Sequence, residues 1–227
     1  MQTILRDEIY NDMTFMEKRH LTVCFTGHRT EKYLDSPLHS EKVTLCAVKT
    51  LLTLMTADAY DRGARYFITG MARGVDLWAG EILLYMKRFL PDVHIIAAVP
   101  QPDHEKSFYG RERKLLCDIA GAADAVVCTS PCYTKWCFHK RNDYMLAHSS
   151  ALLGVLHTNA GGTAYTIAKA KKMHISRRII DLQDYNRLIP MLERFPEVYR
   201  MEMPSQRYAF CEKNPRLLYQ CGLFRED

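Results

Sequence analysis

Six short apolar runs, each followed by a stretch with helical spacing, constrain this chain more than any other feature. The runs are LTVCFTG (residues 21–27), RYFITG (65–70), VHIIAAVP (93–100), ADAVVC (123–128), ALLGVLH (151–157) and RRIIDL (177–182). Between the first two, Leu38, Val43, Leu45, Val48, Leu51, Leu52 and Met55 recur at helical spacing, with Ser36 and Pro37 as cap and first turn. Later intervals carry VDLWAGEILLYMKRFL, a charged stretch running to Asp118, KRNDYMLAHSS and GTAYTIAKAKKM. Continuous rather than alternating apolar strands are those buried on both faces, and strand–helix alternation builds parallel βαβ units. Right-handed crossovers then predict an α/β fold: a Rossmann-like, doubly wound, mainly parallel sheet with helices on both faces.

The ends read differently. Residues 1–20 have the character of an N-terminal arm, residues 21–183 form the Rossmann-like domain, and residues 184–227 read as a helical or irregular extension. That extension opens with the helical NRLIPMLERF and then loses any clear period. No apolar run in the sequence approaches the roughly 18 residues of a membrane span. The first residues mix acids and bases and lack the apolar core of a signal peptide, so the expectation is a cytoplasmic protein with no membrane partner. Its eight cysteines are then expected as thiols.

In an open parallel sheet, ligands bind beyond the carboxyl ends of the strands. Gly27 closes the first strand, Gly70 and Gly74 bracket the turn after the second, and Gly161, Gly162 and Thr163 follow the fifth. Glycine lets backbone approach a ligand, and a following helix offers unpaired N–H groups to an anion. Simple βα turns also use glycine, but these turns carry more. His28 and Arg29 follow the first strand; Met71, Ala72, Arg73 and Asp76 fill or follow the second turn; Arg141 and Asn142 open the fourth helix. Arginine suits a phosphate and Asp76 suits a ribose hydroxyl. The plainer alternatives are surface ion pairs for the arginines, a helix-dipole partner for Asp76 and a capping role for His28.

ITGMARGVDLWAGE resembles the turn motif of the DprA/Smf proteins, Gly-x-Ala-Arg-Gly-hydrophobic-Asp. FTGHR, CFHKRNDYM and AGGTAYTIAKAKK are similar to the pattern of the YpsA-like family of the same SLOG superfamily, which also contains the LOG nucleotide phosphoribohydrolases. The resemblance runs from about residue 21 to residue 182. It implies a Rossmann-like fold with a nucleotide-type ligand held at these loops and no certain cofactor. LOG enzymes use Pro-Gly-Gly-x-Gly-Thr-x-x-Glu; here the stretch from Ala160 to Ala168 keeps the glycine pair and puts Ala168 in place of the glutamate. Glycosidic cleavage needs a carboxylate beside the sugar, so the resemblance does not extend to LOG-type hydrolysis unless Asp76, Glu81 or Asp143 substitutes in a different geometry.

Two other readings were weighed. Cys128, Cys132, Cys137 and His139 lie close together, but their spacing is not one of the usual zinc patterns, and no metal is assigned. The net charge of +5 is mild. A DprA-like single-stranded DNA binder using Lys169, Lys171, Lys172, Arg177 and Arg178, with Tyr133, Trp136 and Phe138 for stacking, is the rival to a small nucleotide-like ligand. Strand 3 ends in a turn where Asp103, His104 and Glu105 could face the site, though they are read first as capping the next helix. A homodimer through outer helices is compatible with this pattern.

Overall fold

The computed structural model describes residues 17–34 and 40–227. Seven strands form one sheet: β1 (Thr22–Gly27), β2 (Tyr66–Thr69), β3 (His94–Val99), β4 (Ala125–Cys128), β5 (Ala151–Leu156), β6 (Ser176–Asp181) and β7 (Phe224–Glu226). Their order across the sheet is β4-β3-β2-β1-β5-β6-β7. Every neighbouring pair is parallel except β6 and β7, where Ile180 faces Phe224 in an antiparallel edge pair. The chain steps outward from β1 to β4, then returns to place β5 beside β1. The β1/β5 boundary is therefore the point where strand order reverses, and the crevice above it is where such sheets bind ligands.

The helices are α1 (Thr30–Leu34), α2 (Glu41–Asp61), α3 (Val75–Met86), α4 (Gly110–Ala122), α5 (Cys137–Ala147), α6 (Gly161–Lys172), α7 (Ile189–Arg194), α8 (Pro204–Lys213) and α9 (Leu217–Gln220). Because successive strand residues face opposite ways, the sheet has two cores. Val23, Phe25, Phe67 and Ile95 pack against α2, α3 and α4 through Leu51, Leu77, Ile82 and Ile119. On the other side, Cys24, Ile68, Ile96 and Leu152 pack against Met145 and Leu146 of α5 and Ala170 of α6. The expected doubly wound layering is present.

One boundary differs from the sequence reading. Helix α2 begins at Glu41, where the Ser40 hydroxyl accepts from the Val43 N–H at 3.3 Å; Ser36 and Pro37, expected there, lie outside the described residues, as does most of the N-terminal arm. By length and composition alone the 21 residues of α2 would pass for a membrane span, although Glu41, Lys42, Lys49, Asp58 and Asp61 interrupt it. It lies instead against the sheet, with Val48, Leu51, Leu52 and Met55 fully buried. The residues after 184 join the first core: Leu188, Leu192, Val198, Phe210, Leu218 and Leu223 are buried within it.

That segment is tied down by charge as well. Arg207 of α8 is completely buried, donating to the Met201 and Glu202 carbonyls at 3.1 and 2.7 Å and to Glu81 Oε2 of α3 at 2.9 Å.

Candidate functional site

The C-terminal ends of β1, β2 and β5 open into a cavity of about 510 Å³. Gly27, His28, Arg29, Ala72, Arg73, Asp76, Arg141, Asn142, Gly162 and Thr163, all singled out from the sequence, line it. The remaining expected residues shape it from behind. Gly74 adopts φ 81°, and a Cβ there would sit 2.3 Å from the His28 carbonyl oxygen. This close approach sets the start of α3 directly against the turn after β1. At Gly70 a Cβ would fall 1.5 Å from Arg141 and 2.6 Å from Asp76 Oδ2. The absence of a side chain there lets those two meet. Met71 is buried, and Gly161 opens α6.

Asp76 and Arg141 form the charged centre. Arg141 Nη1 donates to Asp76 Oδ2 at 2.7 Å, and the Ala72 N–H donates to the same oxygen at 3.3 Å. Both side chains are under 10% exposed. Burial raises the Asp76 carboxyl above its usual range, opposed by the guanidinium and the Ala72 N–H. The pair spans the sheet, because α3 covers one face and α5 the other. Arg141 Nε is buried with no hydrogen-bond partner among the described residues, and Asp76 Oδ1 accepts nothing from them. A buried donor left so is costly unless something else satisfies it.

Around this centre the side chains divide. Arg29 is exposed at the rim and has no ion-pair partner among the described residues. Arg73, by contrast, is committed: it donates to the Ser107 carbonyl at 2.7 Å and pairs with Glu112 at 3.2 Å. The plainer reading of Arg73 as an ion-pairing residue is the one its contacts favour. His28 is also committed. Its Nδ1 accepts from the His157 N–H at 3.2 Å, which places the ring proton on Nε2, facing the Ala160 carbonyl and Thr158 hydroxyl at 3.3 Å each. Burial lowers its pKa, so the ring is a neutral strap between the loops after β1 and β5. Donation from this ring to a phosphate would break that strap.

Helix α6 starts beside these groups without a side-chain cap. Its first turn therefore keeps N–H groups that no side chain caps, at the cavity wall where Gly162 and Thr163 lie, with the positive end of the helix dipole. A Cβ on Gly162 would meet nothing within 4 Å, so open space lies in front of that turn. Asn142 Nδ2 donates to Thr166 Oγ1 at 2.9 Å and Thr166 donates to the Gly162 carbonyl at 2.8 Å, pinning α5 to this turn.

His104 is a participant that capping logic misplaced. It is buried, donates from Nε2 to the Met71 carbonyl at 2.9 Å, and stands edge-on to Phe108 and to the cavity-lining Phe138. Met71 is a non-glycine residue at φ 58°, so this bond holds an unfavourable backbone turn in place. Burial, with Arg141 and Arg29 nearby, lowers the His104 pKa to about 4.

The other carboxylates weighed for chemistry stand elsewhere. Glu81 is paired with Lys49 at 3.4 Å and Arg207 at 2.9 Å, and Asp143 with Lys169 at 2.5 Å. Ala168 is exposed on α6 and does not line the cavity. Of the basic residues proposed for DNA, Arg177 pairs with Asp227 and Arg178 with Asp58 and Glu226. No group of three or more metal-type side chains occurs among the described residues.

These features can be set beside known proteins. A UPF0398 protein of Lacticaseibacillus casei (strain BL23) is 28% identical over 160 residues, covering 70% of this chain and 83% of the relative. A UPF0398 protein of Halalkalibacterium halodurans is 27% identical over 115 residues, 49% of this chain; the match spans 61% of that relative, less than two thirds of its length. The SPbeta prophage-derived protein YoqJ of Bacillus subtilis (strain 168) is 24% identical over 157 residues, covering 63% and 92% of the two chains. Among solved structures, DNA processing protein A from Helicobacter pylori, described for its single-stranded DNA binding mode, aligns with a TM-score of 0.46 at 19% identity over 73% of this chain and 67% of that one. DprA from Streptococcus pneumoniae gives 0.45 at 17%, over 74% and 52%. The model described as the YspA SLOG family matches residues 23–185, well over half of the sequence and all of the cavity, and the chain belongs to that family.

Proposed function

We propose that this protein binds a nucleotide or nucleotide-derived ligand in the crevice between β1 and β5, in the cytosol, as a binding or sensing protein. One observation carries the reading: a rim arginine with no ion pair and a buried arginine whose Nε has no partner, both among the described residues, converge with an uncapped helix start on one cavity at the strand-order switch. The phosphate lies against the N–H groups of Gly162 and Thr163, with Arg29 closing over it. A ribose hydroxyl donates to Asp76 Oδ1, which the bond to Arg141 holds aimed into the crevice.

Glycosidic hydrolysis is the second reading, and Asp76 is the observation that admits it. Of the three carboxylates considered from the sequence, it alone lines the cavity. Its tie to Arg141 favours orienting a sugar over activating water. The test is a thermal-shift screen against AMP, ADP-ribose, NAD, cyclic dinucleotides and a short single-stranded oligonucleotide. A ligand at one hundred times its Kd stabilises by about 2.7 kcal/mol. Stabilisation by a small nucleotide supports the reading, and release of free base from that sample would convert it to hydrolysis. Stabilisation by the oligonucleotide alone, growing with length and lost in salt, would overturn it in favour of DNA binding.

A further inference from the structure

Beside the cavity, three rings stand in a row on the outer surface of the α5–α6 seam. Trp136, just before α5, is 5.7 Å from His139, and His139 meets Tyr165 edge-on at 4.8 Å. Trp136 and Tyr165 are 56% and 42% exposed, unusual for rings with so much apolar area. Lys135 lies over the Trp136 ring and Lys169 over the Tyr165 ring. The row is continuous with the cavity wall: Phe138 and Asn142 of α5 and Gly162 of α6 line the cavity, and Tyr165 lies one helical turn from Gly162.

The cavity itself is ill suited to reading a base. His28 spends both ring nitrogens on the protein, Asn142 spends its amide donor on Thr166, and the charged centre is the Arg141–Asp76 pair with Arg29 at the rim. Those groups match phosphate and sugar. Exposed rings flanked by lysines match the flat face of a base on a negatively charged backbone. Resting on the nucleotide reading above, the geometry points to a base-stacking subsite outside the cavity, formed by Trp136 and Tyr165 with His139 holding Tyr165 upright. The ligand class is a nucleotide whose phosphate and sugar enter the crevice while its base lies on this row.

The experiment titrates AMP, ADP-ribose and the base-free probe ribose 5-phosphate into the wild-type chain and into Trp136→Ala and Tyr165→Ala. The only other tryptophan, Trp78, is buried, so quenching of Trp136 emission reports directly on stacking. Each ring substitution is expected to weaken the base-bearing probe by roughly 5- to 100-fold. Ribose 5-phosphate should bind the variants as it binds wild type. Unchanged affinity for the base-bearing probes in both variants overturns the subsite and leaves the cavity reading intact, as does an equal loss for all three. If no probe binds the wild-type chain, the cavity reading fails and the subsite falls with it. Binding of a thymidine oligonucleotide that depends on these rings, with none of the small probes, would assign the row to single strands instead.

Discussion

Replacing Gly162 with leucine separates the ligand site from the fold. Gly162 is the second residue of α6, its φ is not in the left-handed region, and an added Cβ meets nothing within 4 Å. The folded chain therefore accommodates the side chain, and a helix former in place of glycine contributes up to about 0.5–1 kcal/mol. The same side chain projects into the space before the open N–H groups of α6. A phosphate displaced from two of those donors loses charge-assisted bonds of about 1.5–3 kcal/mol each, a drop in affinity of more than 100-fold. The assay pairs urea denaturation with calorimetric titration of whichever nucleotide stabilises the wild-type chain. Expected are an unchanged or slightly raised midpoint and no measurable binding. Retained affinity would move the phosphate away from Gly162, and a loss of stability above about 1 kcal/mol would mean that the turn is not open as described.

His104 gives a pH signature. Its folded pKa of about 4 lies below the ordinary 6.5, so its stabilisation is full above pH 6.5 and is lost as pH falls towards 4. The slope of about 1.4 kcal/mol per pH unit predicts a loss of about 2 kcal/mol at pH 5 relative to pH 7. His104→Gln keeps a donor for the Met71 carbonyl and should lack that part of the decline; parallel pH profiles in urea melts would refute the assignment. Arg207→Ala removes the buried partner of Glu81 and the donor to the Met201 and Glu202 carbonyls, and should cost about 3 kcal/mol in the same melts. A cost under about 1 kcal/mol would show that residues after 184 are a dispensable appendage.

How far the sequence spoke depended on the distance over which each signal acts. The six parallel strands were legible because each carries a continuous apolar run, longest in β1, β3 and β5, which are buried on both faces, and shortest in β6, where Ile179 and Ile180 sit between charged residues. Strand β7 was not: three residues, Phe224–Glu226, with exposed Arg225 and Glu226, carry no period to read. Helix α1 is a single polar turn and equally silent. Within the site, the glycines and charged residues of each turn could be found singly, since turns announce themselves locally. Partnerships could not. Asp76 and Arg141 were both named, yet their ion pair joins positions 65 apart. The strap made by His28 could not be read, because nothing before β5 is folded reveals that the His157 N–H will claim its Nδ1. His104 was read from its neighbours as a cap, whereas its partner is the Met71 carbonyl on a different strand's turn.

The position of β1 also has a kinetic meaning. It pairs with β2 through Thr22 and Tyr66, and with β5 through Val23 and Ala151, a separation about three times as long. Loop-closure entropy grows with the logarithm of length, so the second pairing costs about 1 kcal/mol more to close, and it rewards the chain only after the intervening strands are in place. Topologies that defer their central pairing in this way fold slowly. The crevice comes into being at that deferred step, since one of its walls is supplied by each half of the sequence. A molecule recognised there would bind no earlier intermediate, and its first binding would mark the moment at which the two halves of the sheet have joined.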